Sequence, residues 1–289
     1  MNGDWLAQGR RVCVSYRTGI HMPQLHIQLL PGFSADHEQA VTDYLAGGRL
    51  SRKTWRKTFE AFDLLDEAVL LSDTGRRTFR ELYEQVVESR FADAFLRELI
   101  ALRDVRGQSL ELWARYARRI SEEFVQRGWK MPDVPETRLL LGYLLYWWRA
   151  FALGYAFEVE VFHDLQQSGV AFQAHNLLDH QQRRSRSDLI VSGMAGDIKT
   201  SAYFVQVAAA PIHDFYIVRL TAGGHEHVLV AMLQPLAWDR MDGDTVEADL
   251  SAVAGLLPGP VRIRERGHEL IVIDYADWKR RMLHLQGGE

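Results

Sequence analysis

The run from Arg183 to Ser201 constrains this chain more than any other stretch, because it joins two short apolar segments through a glycine and carries three charged side chains at fixed spacing. Leu189-Ile190-Val191 and Asp197-Ile198-Lys199-Thr200 have the branched, apolar character of short strands, and Gly193 suits the leading position of a two-residue hairpin turn. A turn at Gly193-Met194 pairs Ser192 with Ala195, Ile190 with Asp197, and Asp188 with Lys199. Alternate residues of a strand share a face, and opposed residues of an antiparallel pair point to the same side. Asp188, Asp197 and Lys199 are therefore expected on one face, with the two carboxylates diagonal to each other. A slip of one residue in the pairing would separate them.

That grouping has a chemical use. Two carboxylates are hard oxygen ligands for Mg²⁺ or Mn²⁺, which keep waters for a substrate and a nucleophile. Such an ion polarises a phosphate and lowers the pKa of a bound water, and a neighbouring ammonium can orient that water and offset charge growing on the phosphate oxygens. A third carboxylate from a helix would complete the set, and Glu158 and Glu160 stand on the helical segment just before the first of these strands.

The rest of the chain frames this run. Strands are expected at Arg11–Tyr16 and Leu25–Leu30, then a helical pattern from about Ala35 to Arg127, with Phe79, Leu82, Tyr83, Val86 and Val87 among the residues at helical spacing. Ser51 and Asp73 are candidate helix caps. Lys130-Met131-Pro132-Asp133-Val134-Pro135, with two prolines, is the expected linker between a mainly helical region, 1–134, and a second domain, 135–289. Two helical runs follow, about Glu136–Arg149 and Ala150–Gln167, either separate or joined into one, with Gly169 as the C-terminal stop. Strands are expected at Val170–Leu178, 188–192, 197–200, Phe215–Thr221 and His227–Leu233, with a short helix over Ser201–Ala210. A hairpin over Arg266-Gly267-His268 joins Arg262–Glu265 to Glu269–Asp274, and Asp274 opens a closing helix to about Leu285.

Several function classes are disfavoured. One cysteine, Cys13, leaves no disulfide framework and no thiolate zinc cluster, and suits a reducing, cytoplasmic setting. The net charge of −4 confines any nucleic-acid contact to local basic patches. Arg183, Arg184 and Arg186 form one such patch beside Asp188, where arginine can hold phosphates through paired hydrogen bonds; Arg49, Arg52, Lys53, Arg56 and Lys57 around Trp55 form another. No secretory leader is expected from Met1-Asn2-Gly3-Asp4-Trp5, and the apolar run Leu139–Phe157 contains Arg149, which argues for a buried helix over a membrane span. His175, His180, His225 and His227 lack the spacing of a zinc site. Trp147-Trp148 reads as core, and neither a phosphate-binding Gly-x-x-x-x-Gly-Lys loop nor a Gly-x-Ser-x-Gly elbow occurs.

Between about 150 and 221 the order of elements and acids resembles the PD-(D/E)xK nucleases, which include many restriction endonucleases and Holliday-junction resolvases. Asp188 in Ser187-Asp188-Leu189-Ile190-Val191 resembles the second acid of that family, and Asp197-Ile198-Lys199, followed by Thr200-Ser201, its D-x-K element. Glu158 in Gly154-Tyr155-Ala156-Phe157-Glu158, with Gly169 a helix length later, resembles the helical acid of resolvase-like members. The chain departs from the family in having Ser187 where the nominal motif has proline, and aspartate at 197 where glutamate is commoner.

The resemblance implies an α/β fold with a restriction endonuclease-like α-β-β-β-α-β core behind the helical N-terminal region. It also implies Mg²⁺- or Mn²⁺-dependent hydrolysis of DNA, with Glu158, Asp188, Asp197 and the Ile198 carbonyl as metal ligands and Lys199 positioning the attacking water. The expected partner is nucleic acid, DNA before RNA, with no membrane and with room for a homodimer. Two alternatives stand beside it: a catalytically silent nuclease-like domain that binds nucleic acid or a partner protein, and a helical interaction protein whose strands only mimic the motif.

Overall fold

A computed structural model describes residues 11–14, 25–47, 50–72, 75–127, 135–201, 205, 213–233, 245–255 and 259–287. The chain forms two compact units, one of Met1–Phe95 and Leu110–Ala152, the other of Leu96–Ser109 and Leu153–Glu289. The division falls after Ala152, inside a helix, and not at 134/135, where the prolines pointed. Those prolines punctuate the chain, but one long helix can serve two cores with successive stretches of its length. Of the expected linker, Lys130–Val134 lies outside the described residues, as do Asp73 and Arg49.

In the first unit, β1 (Arg11–Val14), β2 (Leu25–Gln28), β3 (Val69–Ser72) and β4 (Gly75–Thr78) form an antiparallel sheet in that order. The β3–β4 hairpin interrupts the segment expected to be helical throughout. Its strands have four residues each, too few to show a period of two, and β3 is held by pairing with distant β2, Val69 opposite Gln28. Helices α1 (Ala35–Leu45) and α2 (Arg52–Asp66) lie between β2 and β3. Ser51 caps α2, its Oγ accepting from the Thr54 N–H at 3.1 Å, as expected for a small polar residue at that position.

Next come α3 (Phe79–Leu82), a π-helical stretch (Tyr83–Glu88) and α4 (Ser89–Ile100), then α5 (Val105–Gln126). The core of this unit is aromatic: Phe62, Phe79, Phe95, Tyr116, Tyr143 and Trp148 are fully buried. Trp148 is thus core, as read from the sequence, while its neighbour Trp147 is half-buried.

Helix α6 (Pro135–Ser168) is continuous over 34 residues, with proline at its first position, where the missing N–H costs nothing. Among the described residues no helix is long and apolar enough to cross a membrane. The helix stops as expected at Gly169, whose φ is +79°. The Gly169 N–H donates to the Gln166 carbonyl and the Val170 N–H to the Leu165 carbonyl, at 3.2 and 3.1 Å, closing the last turn.

The second unit is built on an eight-stranded mixed sheet. Its strands are β5 (Phe172–Ala174), β6 (Leu189–Val191), β7 (Met194–Lys199), β8 (Phe215–Ala222), β9 (His225–Met232), β10 (Val246–Glu247), β11 (Val261–Glu265) and β12 (His268–Asp274), in the order β10-β11-β12-β9-β8-β7-β6-β5. β5, β6 and β7 form an antiparallel meander, and β8 then runs parallel to β7. Of the short helix expected at Ser201–Ala210, only Ser201 and Val205 are described, and Val205 is helical. Both faces of the sheet are covered. On one, Phe157, Val161 and Leu165 of α6 and Trp278 and Met282 of α8 (Tyr275–Gly287) pack on Leu189, Val191, Ile198, Phe215 and Ile217. On the other, Val205 and α7 (Leu250–Val253) cover Tyr216, Val218 and Val272. Alternation of the strand residues dictates this split.

Two expectations about this unit are corrected. β5 ends at Ala174, not Leu178, and the β6–β7 turn is Ser192-Gly193, not Gly193-Met194. Val191 pairs with Met194, and Ser192 and Gly193 have φ of 49° and 80°. Positive φ at both central residues is the turn whose twist matches a hairpin, so it selects the pair that ends in glycine. The β11–β12 hairpin uses the same device at Arg266-Gly267.

Candidate metal centre

Sheet register places the chemistry. Ala174 pairs with Leu189 and Leu189 with Gly196; one residue further on, His175, Asp188 and Asp197 come to one level across three adjacent strands, and Asp197 pairs with Tyr216 on β8. The earlier turn changes the pairing by two residues, so facing is preserved. Asp188 stands directly opposite Asp197 instead of diagonal to it. The His175 N–H donates to the Asp188 carbonyl at 3.0 Å, and the Asp188 N–H to the Gly196 carbonyl at 3.0 Å, which fixes the Asp188 backbone from both sides.

The side chains converge. Lys199 Nζ lies 2.6 Å from Asp197 Oδ1, and His213 Nε2 lies 3.5 Å from Asp197 Oδ2. Asp188 Oδ2 accepts from the Ile198 N–H at 2.8 Å, and the Asp188 and Asp197 carboxyls share a hydrogen bond. Because N–H and C=O of one strand residue point to the same side, the Ile198 carbonyl also opens toward the side where β6 ends. Glu158, on α6, reaches the cluster through His175, with Nε2 3.1 Å from Glu158 Oε2 and Nδ1 3.9 Å from Asp188 Oδ1. Oxygen and nitrogen atoms of Glu158, His175 and Asp188 all lie within 4.8 Å of one another.

The electrostatics are those of carboxylates gathered without enough positive charge. Burial pushes Glu158 above the usual carboxylate range, more than its hydrogen bond with His175 lowers it. Asp188 is also raised, by burial, by its hydrogen bond to Asp197 and by the charges of Glu158 and Asp197. Burial acts upward on Asp197 as well, but the Asp188 hydrogen bond and the Lys199 ammonium outweigh it and hold Asp197 low. Burial lowers His213. The two carboxyls are thus pushed in opposite directions, Asp188 up and Asp197 down, as expected of neighbouring acids that share one site. Chemically, a set of carboxylates, one backbone carbonyl and one imidazole could hold a divalent cation, which would supply the charge such a cluster lacks.

The sequence-derived residues are thus brought together with two refinements. Glu160 takes no part: its carboxylate pairs with Arg219, whose guanidinium lies 3.9 Å over the Phe157 ring. Of the basic patch, Arg186 is exposed near enough for its charge to act on His213, Arg183 is half-buried in a 3₁₀ turn at Gln182–Arg184, and the Arg184 side chain lies outside the described residues. In the other patch, Arg56 and Lys57 pair with Glu60 on α2.

His175, set aside in the sequence as a zinc ligand, joins the cluster, and Ser185 and His213 were not singled out. His175 follows the short strand Phe172-Gln173-Ala174 directly, and only its pairing level with Asp188 reveals it. No protein-family model matches the chain, nor does any curated protein or solved structure.

Proposed function

We propose that this protein is a metal-dependent nuclease that hydrolyses DNA phosphodiester bonds, on a core of the PD-(D/E)xK kind. The observation that carries the reading is the opposition of Asp188 and Asp197 across β6 and β7, with Lys199 on Asp197 and Glu158 drawn in from α6. The order α6, three antiparallel strands, a connection through helical Val205, and a parallel strand supports it.

Glu158, Asp188, Asp197 and the Ile198 carbonyl would hold Mg²⁺ or Mn²⁺. When bound, the cation polarises the scissile phosphate and makes a bound water more acidic. Lys199, whose side chain is 39% exposed, can turn its ammonium from Asp197 toward an attacking water and the phosphate oxygens, where charge develops. Exposed Arg186 can hold the flanking phosphate and so orient the bond to be broken. Hydrolysis adds the water oxygen to phosphorus and breaks one phosphorus–oxygen bond to sugar, leaving a phosphomonoester and a hydroxyl.

The test is cleavage of duplex, single-stranded and branched DNA, and of RNA, by purified protein with Mg²⁺ or Mn²⁺. Asp197→Ala is expected to abolish cleavage, and Lys199→Ala to slow it by about 100-fold or more, the scale of losing one preorganised charge donor. Cleavage that survives both substitutions overturns the reading. Metal-dependent DNA binding without cleavage would favour the silent, binding-only alternative.

A further inference from the structure

We propose that His175 is a nitrogen ligand of this centre through Nε2, and that the mixed nitrogen and oxygen donor set selects a first-row transition cation over Mg²⁺. The inference rests on the metal-centre reading above and changes which ion the centre takes. It begins at Ser185, whose Oγ lies 2.7 Å from the Ser187 carbonyl oxygen. A carbonyl can only accept, so the Ser185 hydroxyl hydrogen is committed there. The same Oγ lies 3.2 Å from His175 Nδ1 and must be the acceptor of that contact. Nδ1 therefore carries a hydrogen, and Nε2 is the nitrogen left to offer a lone pair.

Nε2 faces Glu158 Oε2 at 3.1 Å, and the His175 side chain is only 5% exposed. An imidazole lone pair and a carboxylate oxygen at that separation need a cation between or beside them, either a proton or a metal ion. Asp188 Oδ1 lies 3.9 Å from the other ring nitrogen, Nδ1, and one ligand atom each from Glu158, His175 and Asp188 fall within 4.8 Å of one another. An imidazole whose remote N–H is tethered by a hydrogen bond is how histidine ligands are usually oriented. Mg²⁺ demands hard oxygen donors and gains little from nitrogen, whereas Mn²⁺ and the later first-row ions accept imidazole, with affinity rising along the series.

The measurement is Mn²⁺ and Mg²⁺ binding to the full chain by calorimetry, with electron spin-echo spectroscopy of the bound Mn²⁺ to detect a coordinated nitrogen. Wild-type protein is expected to bind Mn²⁺ about tenfold or more tightly than Mg²⁺ and to show nitrogen coupling. His175→Ala should lose the coupling and most of the preference. Ser185→Ala, at an exposed position, should keep the coupling but weaken Mn²⁺ binding by about tenfold through the loosened ring, with an unchanged circular dichroism spectrum showing that the fold is kept. Mn²⁺ bound without nitrogen coupling, or the two ions bound equally, overturns the inference and leaves the nuclease reading standing. Nitrogen coupling in a protein that cleaves no nucleic acid supports the inference and removes the nuclease reading. Binding of neither ion removes both.

Discussion

A Cβ built at Gly196 would lie 2.1 Å from Cζ of Phe215, because the Phe215 ring is pressed onto the β7 backbone beside Asp197. That ring belongs to the buried layer under α6 and α8 and cannot withdraw without opening it. Gly196→Ala is therefore expected to cost about 1–3 kcal/mol of stability, read by chemical denaturation, and to weaken metal binding by shifting Asp197. At this scale the sequence was informative about acids and uninformative about their neighbours. Asp188, Asp197, Lys199 and Glu158 could be named from spacing and resemblance, because charged residues in apolar strands have few other uses. His175 and Ser185 could not, since their meaning lies in hydrogen bonds to residues 10 and 2 positions away.

The β6–β7 hairpin sets which carboxylates meet. Ser192 occupies a positive-φ position that asparagine tolerates better than serine, and Asn-Gly is the favoured pair for this turn. Ser192→Asn is expected to raise the denaturation midpoint slightly, by about 0.5 kcal/mol or less, without moving the register. A fall in stability would mean that the Ser192 contact with Gln286, 3.2 Å away, matters more than the turn. Helices were largely legible at this scale: α6 could be anticipated from its apolar run, with Gly169 as its stop, and the closing helix from Asp274, whose Oδ1 accepts from the Ala276 N–H at 2.8 Å. The β3–β4 hairpin was hidden, because four-residue strands leave too little pattern to outweigh the helical segments on either side.

For the molecule as a whole, the gathered carboxylates link stability to pH and, on the proposed function, to metal. Without metal, burial and mutual repulsion raise Glu158 and Asp188 above their ordinary values of 4.5 and 3.8. Their stabilising contribution is then full below those ordinary values and is lost as pH rises through the folded-state values. Asp197, held low, contributes in the opposite sense, present above its ordinary value and lost as pH falls through the folded one. Chelated protein is accordingly expected to lose thermal stability as the pH is raised from about 5 to 8, and Mn²⁺-saturated protein to lose that slope. At a metal concentration 100 times the dissociation constant, binding should add about 2.7 kcal/mol, seen as a rise in unfolding temperature that Asp197→Ala removes.

By itself, the sequence determined the mixed α/β class, the helix–strand–strand order around residues 158–199 and the identities of four charged residues, because period, glycine placement and the cost of charge in apolar strands are local properties. Only the tertiary structure decided the rest. Compactness divided the chain inside α6 instead of at the prolines, and backbone twist moved the turn to Ser192-Gly193. The pairing of β5 with β6 carried His175 into the cluster. Pairing level and close approach depend on which distant strands meet, and no run of adjacent residues encodes that.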